Sequence, residues 1–195
     1  MFYDRDIVSV LLISASQKMT DTILELLPHR QFQPVTTVST AGEARRLLVE
    51  QSFDLVLIIS PLRDDFGVQL AVEVADNGQS GVLLFVKADL FEQASYKVES
   101  HGVLTLAVPC QRTAILQSVK LLVATRARLK VLENRAISLE AKMEEIRIVN
   151  RAKLLLIERL KMSEAEAHRY IEKNAMDTCQ KRSAVAQGII RTYET

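Results

Sequence analysis

The sequence predicts an α/β domain followed by an all-α region: a doubly wound (βα)₅ front, a long coiled-coil helix and a C-terminal three-helix bundle. Three observations predict it. Short apolar, β-branched runs alternate with amphipathic stretches through Val108. All four prolines (Pro28, Pro34, Pro61, Pro109) and five of the six glycines lie before Cys110, so the residues that punctuate turns stop there. Beyond that point apolar residues recur every seven positions, the period of a coiled-coil seam. A chain of 195 residues has room for one large domain or two small ones.

The runs Val8–Ile13, Pro34–Val38, Leu55–Ile59, Val82–Val86 and Val103–Val108 have the length and composition of strands buried on both faces of a parallel sheet. Between them, Lys18–Leu27 carries Met19, Ile23, Leu26 and Leu27 on one helical face. Ala41–Glu50 follows Thr40, and Glu43 three residues on completes a capping-box pattern. Val68–Ala75 and Leu90–Glu99 are the remaining helical stretches. Alternation of this kind builds a doubly wound sheet.

From Gln111 the chain reads as one helix. Leu122, Leu129, Ala136, Met143 and Asn150 are spaced by seven, and Leu132, Leu139 and Ile146 fall three residues after the middle members. Such an a/d seam cannot bury itself, and a parallel homodimer is the expected partner; packing back as an antiparallel pair within the chain is the alternative. A helix over 111–161 would be ~75 Å long at 1.5 Å per residue. After it, Ser163 and Glu166 form a second capping box, opening a helix with Ala167, Tyr170 and Ile171 on its apolar face and an end near Asn174. A third helix is expected over Cys179–Ile190, with Val185, Ala186, Ile189 and Ile190 closing a small core that Ala175 and Met176 also fill. The expected domains are 1–122, 123–148 and 149–195.

The net charge of +1 conceals a division. Residues 1–109 hold 8 Lys+Arg against 14 Asp+Glu, and residues 110–195 hold 17 against 10. The front is therefore at −6 and the back at +7, which points the back toward a polyanion. No apolar run approaches the ~20 residues of a membrane span, and Asp4 and Asp6 precede the first apolar run, so neither a secretory signal nor a membrane anchor is expected. Cys110 and Cys179 stand alone, which suits a reducing cytoplasm and gives no metal set. No nucleophile motif or glycine-rich phosphate loop points to an enzyme, and no cofactor is expected.

Residues 6–125 resemble the receiver domain of bacterial response regulators, on the stretch DLVLIISPLRDDFG (54–67) and on Pro109 after the fifth strand. The resemblance makes the departures informative. The family's acidic pair after strand one is Ser14 and Ala15 here, its phosphoacceptor aspartate is Ile59, its hydroxyl residue is Lys87 and its lysine is Val108. An acyl phosphate needs a carboxylate nucleophile, and its Mg²⁺ needs neighbouring carboxylates. The front is thus a pseudo-receiver. Asp64 and Asp65 read as solvated charges rather than a metal pair, and Lys87 as a surface lysine rather than an anion site.

RAKLLL (151–156), MSEAEA (162–167), NAMD (174–177) and AVA (184–186) together resemble the ANTAR domain, the RNA-binding module of AmiR- and NasR-type antitermination regulators. The order receiver, coiled coil, ANTAR resembles the AmiR-like architecture, whose members include receivers without the phosphoacceptor. The resemblance implies a regulator that binds paired hairpins in leader RNA and disfavours a terminator. Candidate RNA contacts are Asn150, Arg151, Lys153, Arg169, Lys173, Gln180, Lys181, Arg182 and Ser183, cations and polar groups suited to phosphate. Tyr170 is expected in the core and His168 on the surface. Without a phosphorylation site, control falls to a regulatory protein partner or to occlusion. The alternatives are a DNA-binding response-regulator-like transcription factor and a coiled-coil interaction protein that meets no nucleic acid.

Overall fold

The computed structural model describes residues 7–78 and 80–194; Asp4 and Asp6 lie outside them. The chain divides after Leu129 into two compact units.

In the front unit, β1 (Val8–Ser14), β2 (Phe32–Val38), β3 (Leu55–Ile59), β4 (Gly81–Lys87) and β5 (Leu104–Val108) form one sheet in the order β2-β1-β3-β4-β5, every pair parallel. Side chains alternate across a strand, so the central strands feed two cores. Leu11, Ile13, Val56, Ile58, Leu84 and Val86 face α2 (Ala41–Glu50), α3 (Val68–Asp76) and α4 (Phe91–Val98). Val10, Leu12, Leu57, Ile59, Leu83 and Phe85 face α1 (Gln17–Leu26) and the start of α5 (Arg112–Leu160). At the start of β3, the Asp54 carboxylate accepts from both the backbone N–H and the hydroxyl of Ser9, tying it to β1.

α5 is a single helix of 49 residues. Its first turns, through Ile115, Val119 and Leu122, close the second front core. Leu122, expected in the dimer seam, is therefore spent inside the front unit because the same helix face meets the sheet there. The exposed apolar run begins at Leu129 and continues through Leu132, Leu139, Met143 and Ile146.

In the back unit, Ala152 and Leu156 of α5 pack against Ala167 and Ile171 of α6 (Glu164–Asp177) and Ala186 and Ile189 of α7 (Arg182–Tyr193). Two boundaries differ from expectation. α6 runs on to Asp177, and α7 starts at Arg182 rather than Cys179. The reason lies in the turn between them. Cys179 takes a left-handed conformation (φ 51°), its N–H donates to the carbonyl of Met176, and the Gln180 N–H donates to that of Ala175. This paired closure is a Schellman ending, which satisfies the last carbonyls of α6 and holds Cys179 and Gln180 outside either helix.

Candidate nucleic-acid interface

Two places in the chain are candidates for chemistry: the edge of the front sheet where the strands end, and the surface of the bundle.

At the sheet edge the substitutions read from the sequence have structural consequences. Ile59 is only 4% exposed and belongs to the core between the sheet, α1 and α5. Ser14 is buried in a local turn, its hydroxyl donating to the carbonyl of Ser16 and accepting from the Ser16 N–H. Ala15 and Lys87 are exposed, and Val108 is half-buried. The two acids nearby are already engaged. The Asp64 carboxylate accepts the N–H groups of Ala41 (2.8 Å) and Gly42 (3.0 Å) at the start of α2. These two donors, Gly42 first, hold its pKa below the ordinary aspartate value. Asp65 accepts the Gly67 N–H at 2.7 Å and lies 3.7 Å from Arg45, which also pairs with Glu73 at 2.8 Å. Among the described residues no three His, Cys, Asp or Glu side chains gather where a metal would need them.

The bundle starts from strong local signals. Ser163 and Glu166 complete both halves of a capping box: the Ser163 hydroxyl accepts the Glu166 N–H, and the Glu166 carboxylate accepts the Ser163 N–H at 2.8 Å. The Ser163 backbone N–H first, and then the Ser163 hydroxyl, which donates to the same carboxylate at 2.7 Å, lower the Glu166 pKa from its usual value. α7 has no such cap: its N-cap is Lys181, whose side chain makes no capping bond, so the first N–H groups of α7 lack a side-chain acceptor.

The candidate RNA contacts fall into two groups. Arg151, Lys153 and Arg182 are held by acids of the bundle itself. Arg151 pairs with Glu194, and Lys153 with Glu164 at 3.0 Å, leaving the Lys153 side chain 16% exposed. Arg182 lies between Glu172 (3.7 Å) and Glu145 (3.9 Å). Glu172 also meets His168, which stands partly exposed on α6. Lys173 and Lys181 are exposed with no ion pair among the described residues, and Arg169 donates only to the Ala165 carbonyl. Asn150 and Gln180 are exposed, and Ser183 is half-buried in the first turn of α7.

Two expectations about the bundle are corrected. Tyr170 is 41% exposed and Met176 77% exposed, so neither fills the core. At 100° per residue, Ala167, Ile171 and Ala175 share the buried face of α6, whereas Met176 lies with Arg169 and Lys173 on the opposite one. Adjacent residues Ala175 and Met176 cannot both face inward once Ala175 does. The 100° step of the helix alone sets Met176 off the face of Ala167, Ile171 and Ala175, and that signal is present in the sequence.

Residues 138–190 match the family model of the ANTAR domain. The front unit is similar in fold to solved receiver domains. One, from an HD domain-containing protein of Pseudomonas fluorescens Pf-5, has TM-score 0.58 at 16% identity over 67% of this chain and 96% of that one. Another, from Clostridium thermocellum, has TM-score 0.56 at 17% identity over 63% of this chain and 99% of that one. The chain thus carries an ANTAR domain at residues 138–190 behind a front unit of receiver-like fold. Along most of its length it is similar to the transcriptional regulatory protein PdtaR of Mycobacterium tuberculosis, 26% identical over 178 residues that cover 89% of this chain and 84% of the relative. No helix among the described residues is long and apolar enough to cross a membrane.

Proposed function

We propose that this protein is a cytoplasmic, homodimeric RNA-binding regulator of transcription that acts by antitermination, binds paired hairpins in leader RNA and is controlled without phosphorylation of its front domain. The observation that carries the reading is the ANTAR match over residues 138–190, the stretch that folds as the capped bundle. Its surface suits the task. Lys173 and Lys181 are exposed cations with no ion pair among the described residues, and Lys181 is itself the N-cap of α7, whose first N–H groups have no side-chain cap.

The dimer reading rests on the exposed run Leu129, Leu132, Leu139, Met143 and Ile146, too regular to be scattered surface leucines. Charge at the flanking positions favours parallel pairing. In a parallel pair Arg128 meets Glu133 of the second copy and Arg135 meets Glu140; only Lys142 meets a like charge, Arg147. An antiparallel pair would set the all-basic row Arg128, Arg135 and Lys142 against itself. Two weak sites on one dimer then gain affinity for two hairpins through effective concentration. Control by a partner protein or by occlusion is supported by Ile59, Ser14 and Ala15, none of them an acid, at the positions where the receiver resemblance sets the phosphoacceptor and the metal-binding pair.

A gel shift comparing a synthetic two-hairpin RNA with duplex DNA tests the reading. Retention of the RNA by a dimer, stronger than of the duplex, is expected. Preference for the duplex favours a DNA-binding factor, and retention of neither favours a protein scaffold.

A further inference from the structure

Most of the net positive charge of the back half lies outside the family match. Residues 110–195 carry a net +7, and +4 of it sits on residues 120–135 of α5, where Lys120, Arg126, Arg128, Lys130 and Arg135 face a single acid, Glu133. Residues 148–195, which hold the bundle, have nine Lys+Arg against six Asp+Glu. Three of those nine, Arg151, Lys153 and Arg182, are paired with the bundle's own acids or with Glu145. Lys120, Arg128, Lys130 and Arg135 are exposed and have no ion pair among the described residues. The matched stretch starts only at residue 138.

We infer that residues 120–135 of α5 form a second contact with the RNA, a basic collar that binds phosphodiester backbone outside the hairpin loops and carries much of the electrostatic affinity. The inference rests on the RNA-binding reading above and adds to it a surface the bundle does not contain. At 100° per residue, Lys120, Arg128 and Arg135 fall within ~80° of one another around the helix. Arg128 and Arg135 are ~10.5 Å apart along it at 1.5 Å per residue, so the row can follow a strand of regularly spaced charges. Lys130 occupies the outer side of the seam, away from Leu129 and Leu132 at its centre. Pairing of Arg128 with Glu133 of a second copy leaves the stretch at +4 per chain, because that acid is already in the count. α5 holds no Phe, Tyr or Trp, so the stretch offers its charges to backbone phosphate and no aromatic platform for bases.

The test uses the full chain and the variant Lys120→Gln/Lys130→Gln. Both changes leave the seam and its flanking charges intact, and glutamine keeps the helix. Sedimentation confirms that the variant is in the same oligomeric state as the parent. The affinity for the two-hairpin RNA is then measured over a KCl series, with a second RNA whose loops are scrambled. Each phosphate contact contributes a slope of ~0.7–0.9 in log affinity against log salt, and a dimer loses four such contacts, so the slope is expected to flatten by about 3. Both RNAs should weaken in the same proportion, since phosphate contacts carry no sequence information. An unchanged slope in a variant that still binds overturns the collar alone. An unchanged slope with reduced retention on polyglutamate overturns it too, and assigns the stretch to an acidic protein surface. A parent chain that retains no RNA at any salt overturns the collar together with the RNA-binding reading.

Discussion

Both units begin a helix on a carboxylate, but they fetch it from different distances. α6 takes Glu166, three residues into its own first turn, with Ser163 reciprocating. α2 has Thr40 and Glu43 in the same spacing, yet Glu43 bonds the Ser39 N–H, and the N–H groups of Ala41 and Gly42 go to Asp64, 23 and 22 positions away. Asp64 belongs to the loop that follows β3, where the receiver family carries out phosphorylation chemistry. Here that loop does structural work: its acids fasten α2 and pair with Arg45, and Ile59, which the resemblance sets at the nucleophile's position, is buried in the core. The bundle does the reverse. It secures the start of α6 locally and leaves the start of α7, where Lys181 is the N-cap, without a side-chain cap. A region that satisfies its polar groups internally holds shape; one that leaves cations and N–H donors open is equipped to bind an anion.

The severest way to break that comparison is to put the chemistry back. Ile59→Asp places a carboxylate in a fully apolar cluster, with Ser14 and Ala15 offering no acid to share a metal. The expected result is a loss of about 4 kcal/mol of front-unit stability, the cost of an unpaired buried charge. Urea unfolding followed by circular dichroism measures it. The variant should gain no phosphate from a small phosphodonor with Mg²⁺, read as an unchanged intact mass. A stable phosphorylated product would mean that the edge is a dormant site and not a structural one.

The next test concerns the bundle's local cap. Ser163→Ala removes the hydroxyl that accepts the Glu166 N–H and should cost about 1 kcal/mol at neutral pH, seen as a lower melting temperature of the back unit. The pH dependence follows from the lowered pKa of Glu166, whose first cause is the Ser163 backbone N–H. A carboxylate with a depressed folded pKa stabilises above its unfolded value, ~4.3 for glutamate, and that contribution disappears as pH falls through the folded value. Parent and Glu166→Ala proteins should therefore differ in melting temperature at pH 7 and converge toward pH 3. Asp64→Asn, with the same sign, should affect the front unit over the same acid range, its donors being those of Gly42 and Ala41.

How much of this was legible in the sequence depends on the range of the interaction. The strands, the order of elements and the capping box at Ser163 are written in patterns of two to seven residues, and the described elements follow them closely; β3 and α2 have the expected ends. That Ser14, Ala15 and Ile59 are not acids needs no geometry, and their standing at the receiver family's acidic positions is what the resemblance implies. Long-range pairings were not. Nothing local says that Asp64 caps α2, that Leu122 is taken by the front core, or that Lys153 and Arg182 are held by Glu164 and Glu172. Each depends on which faces the fold brings together. The α6–α7 boundary failed for a different reason: Cys179 adopts a left-handed conformation that the sequence would have announced only with glycine or asparagine.

That residue supplies the smallest and most selective prediction. In the Schellman ending of α6 the left-handed position is Cys179, at φ 51°, and Gln180 and Cys179 donate to Ala175 and Met176. A side chain at that φ crowds its own backbone, at roughly 1–2 kcal/mol for an L-residue, whereas glycine adopts it without strain. Glycine also gives the unfolded chain more freedom, which returns part of the gain. Cys179→Gly should therefore stabilise the back unit by about 0.5–1 kcal/mol and leave the front transition where it was, because the turn is confined to α6 and α7. A lower melting temperature would mean that the Cys179 side chain packs in a way its exposure does not suggest. An upward shift of the back unit alone would establish that the two units unfold separately, so that the cap variants above can each be read against their own transition.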